Sequence, residues 1–347
     1  MAETKIGGET FNVLVEGPER APVLMISNSL GTNLHMWDGQ MAALKKHFRT
    51  VRYDTRGHGG SVVTGGAYSI AGLGRDAVAL MDALHLDRVH WLGLSMGGMI
   101  GQWLLTNARE RIGRAILANT SARMPPPDMW NTRIRTVLSQ GMQAITPTVI
   151  DRWFTPGFQE RSPEAVARIA DMLHSTPIHG YTGCSGAIRD MDQRESIRSI
   201  SNPVLVIVGR HDPSTPPEQG AGIAATIRDA KLVTLEAAHL SNVEAEAQFN
   251  KVITEFLMAP GGRFAPPRAA PKKAAAKAKS QARKPVTKKT AARKPTKKPA
   301  ARPAAKSARK AVKATARKPA AKLAKASAKR APARKLAKKT AARRGRR

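Results

Sequence analysis

Three residues, in the chain order Ser95, Asp212, His239, have the types needed for nucleophilic acyl chemistry. Ser95 sits in Gly93-Leu94-Ser95-Met96-Gly97, a G-x-S-x-G sequence. Glycines at that spacing suit a turn sharp enough to lift a serine hydroxyl clear of the end of a strand. An unassisted hydroxyl is a poor nucleophile at neutral pH, so it needs a base, and the base needs an orienting acid. Asp212 in Gly209-Arg210-His211-Asp212-Pro213 fits the acid and His239 in Ala237-Ala238-His239-Leu240-Ser241 fits the base. His211 competes for the second role and reads as a loop residue. The tetrahedral oxyanion of such a reaction calls for two donors. One is the backbone N–H of Met96, directly after the nucleophile. The other is expected from Ser27-Asn28-Ser29-Leu30-Gly31-Thr32, with the Leu30 N–H as candidate, although the same residues also suit a plain strand-to-helix turn.

These groups need a scaffold that brings distant segments together. Short runs rich in Val, Ile and Leu predict buried strands at Val13–Val15, Val23–Ile26, Thr50–Tyr53, Val89–Leu94, Ala115–Ala118, Val204–Val208 and Leu232–Leu235. Helical spacing recurs at Ile70–Leu84, from near Gly98 to Asn107, and at Glu244–Leu257. Alternation of this kind implies an α/β fold, with a mainly parallel sheet covered by helices. Ser95, Asp212 and His239 each follow a predicted strand, where open α/β sheets place functional groups. From Met124 to about Ile200 no strand is predicted, and patterns such as Pro163–Leu173 indicate a helical insertion, a lid over the sheet.

The elbow at Ser95, Tyr53-Asp54-Thr55-Arg56-Gly57-His58-Gly59, Gly209-x-x-Asp212 and the terminal His239 together resemble the α/β-hydrolase family across residues 10 to 258. The segment at Tyr53 reads as a structural brace. More narrowly, Ser27–Thr32 with Leu34-His35-Met36-Trp37, and Gly180-Tyr181-Thr182-Gly183-Cys184 with Ala187-Ile188-Arg189-Asp190-Met191-Asp192, are similar to the 3-oxoadipate enol-lactonases of bacterial aromatic catabolism. That resemblance implies an α/β-hydrolase fold, hydrolysis of an anionic enol lactone through an acyl-enzyme, and neither a metal nor an organic cofactor. A carboxylate-bearing substrate needs a cation in the pocket. Arg133, one helical turn from Trp130, is the favoured candidate, with Trp130 as the wall for the ring and Arg135 as the alternative.

Charge divides the chain in two. Of its 58 Lys and Arg, 33 fall in residues 261–347, which hold no Asp or Glu; residues 1–260 balance 25 basic against 25 acidic residues. The first segment is predicted to be the catalytic body, with its lid at about 124–200. The second, rich in Ala, Lys, Arg, Pro and Thr, cannot build a core and is predicted to be disordered. It resembles the tails of linker histones and bacterial histone-like proteins, which implies sequence-independent contact with nucleic acid by counterion release. The alternatives left open are another carboxylesterase of the same fold, and a DNA-associated protein that uses the body as a scaffold. The single cysteine, Cys184, excludes a disulfide framework within the chain and reads as a packed side chain. With no secretory signal and no apolar run long enough to span a membrane, the expectation is a cytoplasmic protein without membrane contact, nucleoid-associated through its tail.

Overall fold

The computed structural model describes residues 2–124 and 126–260. The predicted basic tail lies outside the described residues.

Eight strands form one sheet: β1 (Ala2–Ile6), β2 (Glu9–Glu16), β3 (Val23–Ser27), β4 (Arg49–Tyr53), β5 (Val89–Leu94), β6 (Ile112–Ala118), β7 (Val204–Gly209) and β8 (Lys231–Leu235). Their spatial order is β1-β2-β4-β3-β5-β6-β7-β8. Antiparallel pairing is confined to β1–β2 and β2–β4; every pair from β4–β3 to β7–β8 is parallel. Each of the seven predicted strands is present, and β3, β5, β6 and β7 are buried at every position. A parallel sheet needs cover on both faces, which explains why these strands read as unbroken apolar runs. β1 escaped prediction because Ala-Glu-Thr-Lys-Ile has no apolar run; it is a strand through its backbone pairing with β2, with Ile6 packed against the core.

Helices α1 (Asp38–Leu44), α2 (Ile70–Ala83) and α3 (Met96–Asn107) connect β3 to β4, β4 to β5 and β5 to β6. The structure starts α3 two residues earlier than the sequence pattern indicates, because Ser95 itself is the cap. Between β6 and β7 lie α4 (Pro127–Gln140), α5 (Thr146–Trp153), α6 (Pro156–Arg161), α7 (Pro163–Ser175) and α8 (Ile178–Asp190), the predicted lid. Its first four helices open on a proline in the first turn. There the missing N–H costs nothing and the fixed φ favours the helix. After β7 come α9 (Pro217–Thr226), then α10 (Ser241–Glu244) and α11 (Glu246–Met258). The helix predicted over Glu244–Leu257 is α11, whose start is set at Glu246 because Ala245 separates it from the short α10.

The chain runs from β3 outward to β4, then returns to place β5 on the other side of β3. Such a reversal opens a crevice at the carboxyl ends of the two neighbours. Ser27 is in register with Gly93, so the loop after β3 and the turn after β5 leave the sheet side by side.

Candidate active site

Ser95 occupies the cap of α3 with φ 56° and ψ −114°, a conformation that costs a residue bearing a Cβ about 1–3 kcal/mol. Its surroundings hold it there. The Ser95 N–H donates to the Ala118 carbonyl at 2.9 Å, and its own carbonyl accepts from Thr120 Oγ1 at 2.7 Å. A Cβ on Gly93 would collide with the Gly97 carbonyl, and one on Gly97 with the Ser27 carbonyl. The two glycines of the motif thus permit close backbone approach on either side of the serine.

His239 and Asp212 reach the same edge from the loops after β8 and β7. His239 Nδ1 lies 2.8 Å from Asp212 Oδ2, with both side chains buried. Donation from Nδ1–H leaves Nε2 as the lone-pair nitrogen. Asp212 Oδ1 accepts from the Ser214 and Thr215 amides, and Oδ2 also accepts from Thr215 Oγ1 and Asn119 Nδ2. Burial alone would push the Asp212 carboxyl up; His239 beside it, with the Thr215 and Asn119 donors, outweighs that and holds it below its usual range. The Trp153 ring stacks on His239 at 6.2 Å. His211 is exposed, pairs with Glu236 and stands outside this cavity, as its reading as a loop residue implies.

Leu30, Ser95 and His239 line one cavity. Met96 opens α3, so its N–H has no acceptor within the helix. The Gly97 amide donates to the Asn28 carbonyl at 3.0 Å, which ties the loop carrying Leu30 to the helix carrying Met96.

The lid supplies the rest of the cavity wall, including Trp130, Arg133 and Arg152. Trp130 is buried, and the Arg133 guanidinium stands 5.0 Å over its ring. Arg135 points away, exposed and bonded to Thr132. Arg152 was not anticipated. It donates to the Pro213 carbonyl at 2.5 Å; burial, with the charge of Arg133, lowers its pKa against the pull of Asp212. Neither Arg133 nor Arg152 has a salt-bridge partner among the described residues.

Sequence reasoning also missed Asn119, Thr215 and Glu244. Asn119 bridges strand ends, donating to Asp212 and to the Ala238 carbonyl and accepting from Ser241 Oγ. Glu244 accepts from the Ala238 amide at 2.8 Å and from Thr155 of the lid, so it fixes the histidine loop from below. Ordinary polar residues in loops give no pattern to find. Cys184 is fully buried, as anticipated, and burial pushes its thiol well up. No helix among the described residues is long and apolar enough to cross a membrane.

Known proteins are similar to this chain over most of its described residues. The 3-oxoadipate enol-lactonase 2 of Acinetobacter baylyi is 41% identical over 243 residues, covering 70% of this chain and 91% of that protein. The 3-oxoadipate enol-lactonase 1 of the same organism is 36% identical over 250 residues, covering 72% and 94%. The crystal structure of the enol-lactonase from Burkholderia xenovorans LB400 superposes with a TM-score of 0.73 at 41% identity, covering 74% of this chain and 99% of that one. Residues 22–246, well over half of the sequence, match the family described as alpha/beta hydrolase fold, and on that ground the chain is an enzyme of the α/β-hydrolase family.

Proposed function

We propose that the protein hydrolyses 3-oxoadipate enol-lactone to 3-oxoadipate, with Ser95 as nucleophile, His239 as general base and Asp212 as its orienting acid. The observation that carries this reading is the pairing, in one cavity, of a strained serine and a His–Asp pair with two guanidinium groups that lack carboxylate partners. A cation kept in a partly buried site without a protein counter-ion points to an anionic ligand. The relatives named as enol-lactonases supply the substrate, a five-membered lactone bearing a carboxymethyl arm.

His239 Nε2 takes the Ser95 proton as Oγ bonds to the lactone carbonyl carbon, and the oxyanion that forms is met by the Leu30 and Met96 amides. The ring C–O bond then breaks. The leaving group is an enolate, which departs more readily than an alkoxide and takes the proton from His239. Water, deprotonated by His239, attacks the acyl-enzyme; Ser95 recovers its proton, and the released enol tautomerises to the ketone. Arg133 would hold the carboxylate of the arm, Arg152 would add positive potential from the same cavity, and Trp130 would face the ring.

Steady-state hydrolysis of the enol-lactone by wild type and Ser95→Ala tests the proposal. Turnover is expected in the first and a loss of several orders of magnitude in the second. Comparable rates in the two would remove Ser95 from the mechanism. Efficient aryl-ester hydrolysis with no lactone opening would instead favour a general carboxylesterase.

For residues 261–347 we infer sequence-independent contact with nucleic acid. Its support is the block of 33 basic residues without one acidic residue, and the near absence of aromatic side chains to read bases.

A further inference from the structure

The loop that carries Leu30 is gripped by a residue outside the triad. Thr32 closes a turn by donating to the Ser29 carbonyl through its amide at 3.2 Å and its hydroxyl at 2.9 Å. Gly31, third in that turn, has φ 82°, the signature of a type II turn. Within such a turn nothing fixes the central peptide, which here joins the Leu30 carbonyl to the Gly31 amide. The grip comes from outside: the Gly31 N–H donates to His58 Nε2 at 2.8 Å. His58 is fully buried, and its Nδ1 lies 3.3 Å from the Arg56 carbonyl. An amide only donates and a carbonyl only accepts, so Nε2 must carry the lone pair and Nδ1 the proton. The ring is therefore neutral and in one tautomer. Burial lowers its pKa to about 4, although the Arg56 carbonyl and the Asp54 charge pull the other way.

We propose that His58 is a positioning residue for catalysis: by accepting the Gly31 amide it holds the turn that aims the Leu30 N–H at the developing oxyanion. This rests on the reading of Leu30 as a donor given above. Other braces act after the central peptide in the chain. Asp54 accepts from the Leu34 amide at 2.8 Å, and Thr176 of the lid donates to the Gly31 carbonyl at 3.1 Å. Among the described residues, His58 alone holds the peptide that follows Leu30 directly. Oxyanion donors act through preorganisation, so a turn free to rotate there loses transition-state stabilisation without losing substrate affinity.

Three variants separate positioning from simple packing. His58→Gln places a carbonyl oxygen near the position of Nε2 and keeps an acceptor; His58→Asn is one carbon too short; His58→Leu has none. The readouts are kcat and KM on 4-nitrophenyl acetate, and inhibition by a phenyl trifluoromethyl ketone, whose serine adduct mimics the tetrahedral oxyanion. His58→Asn and His58→Leu should lose about tenfold or more in kcat, with KM within about twofold and ketone affinity falling in the same proportion. His58→Gln should recover both to within about threefold. Equal behaviour of His58→Gln and His58→Asn overturns the proposal, as does ketone affinity that stays constant relative to KM in folded His58→Leu. If His58→Leu does not fold, the Gln and Asn pair decides alone. The aryl ester also keeps this test apart from the substrate reading. Wild type that fails to open the lactone refutes that substrate and leaves the His58 comparison intact.

Discussion

Replacing Arg133 with methionine asks whether the cavity is built to hold an anion. The guanidinium lies over Trp130 and has no salt-bridge partner among the described residues, so its removal orphans no buried carboxylate. The structural cost is then the cation–π contact, about 0.5–1 kcal/mol, together with the hydrogen bond between Arg133 and the buried Tyr181 hydroxyl, about 0.5–1.5 kcal/mol; methionine keeps most of the aliphatic volume. On the binding side, a charge-assisted hydrogen bond to a carboxylate contributes about 1.5–3 kcal/mol. At about 1.4 kcal/mol per factor of ten, kcat/KM for the carboxylate-bearing lactone should fall by roughly 10- to 150-fold. Arg152 still contributes positive potential from the same cavity, which places the single variant toward the lower end of that range. The contact is made equally before and during reaction, so the loss should be seen in KM with kcat nearly unchanged. The comparison substrate is 4-nitrophenyl acetate, which has no carboxylate and should change by less than about threefold on the same reasoning. Parallel losses on both substrates, or an unaltered KM for the lactone, would refute an anion site at Arg133.

Ser95→Gly should abolish turnover yet raise stability by about 1 kcal/mol, because glycine tolerates φ 56° without a Cβ penalty; urea unfolding with a lower midpoint than wild type would contradict the strain. His58 has its folded-state pKa depressed to about 4, so the unfolded chain binds this proton more tightly and the group's stabilisation is complete only above its unfolded value near 6.5. As pH falls from about 6.5 toward 4 that stabilisation is lost at about 1.4 kcal/mol per unit. Unfolding free energy measured at pH 6.5 and 4.5 should therefore decline more steeply for wild type than for His58→Gln, and equal slopes would contradict a buried neutral imidazole. Truncation after Pro260 should leave kcat on the lactone nearly unchanged, while the full chain should retain duplex DNA of any sequence at low salt and release it steeply as salt rises. Binding by the truncated body, or affinity independent of salt in gel-shift titrations, would count against the electrostatic tether.

The elements that carry the triad were legible because each leaves a local mark. Fully buried parallel strands read as unbroken apolar runs, and Gly93 and Gly97 are required by backbone contacts that only glycine permits. What polar side chains bond across the sheet leaves no such mark. Asn119 and Asp212 meet although 93 residues separate them, and neither identity nor spacing announces the pair. The lid shows the same division. Helical periodicity correctly groups Arg133 with Trp130 on one face of α4, but Arg152 lies in the last turn of an eight-residue helix, too short to define a face. His58 stands in a stretch whose reading as a brace is correct in kind; what it braces depends on a turn that only the tertiary structure brings to it.

In the proposed mechanism, catalytic and structural duty are divided unequally between Ser95 and Asp212. Among the described residues no hydrogen bond of the fold runs through the Ser95 side chain: those that hold the elbow are made by its backbone, and its conformation is a cost that the surrounding sheet offsets. Asp212 is the reverse. Two backbone amides, Thr215 Oγ1, Asn119 Nδ2 and His239 Nδ1 all donate to it inside a buried site. Each of those donors, left without an acceptor, carries a desolvation penalty of about 1–3 kcal/mol. The Asp212 carboxylate, proposed above to orient the base, is thus also the acceptor on which the loops after β6, β7 and β8 converge. A site arranged in this way can exchange its nucleophile at little structural cost, whereas the position of its acid is fixed by the fold itself.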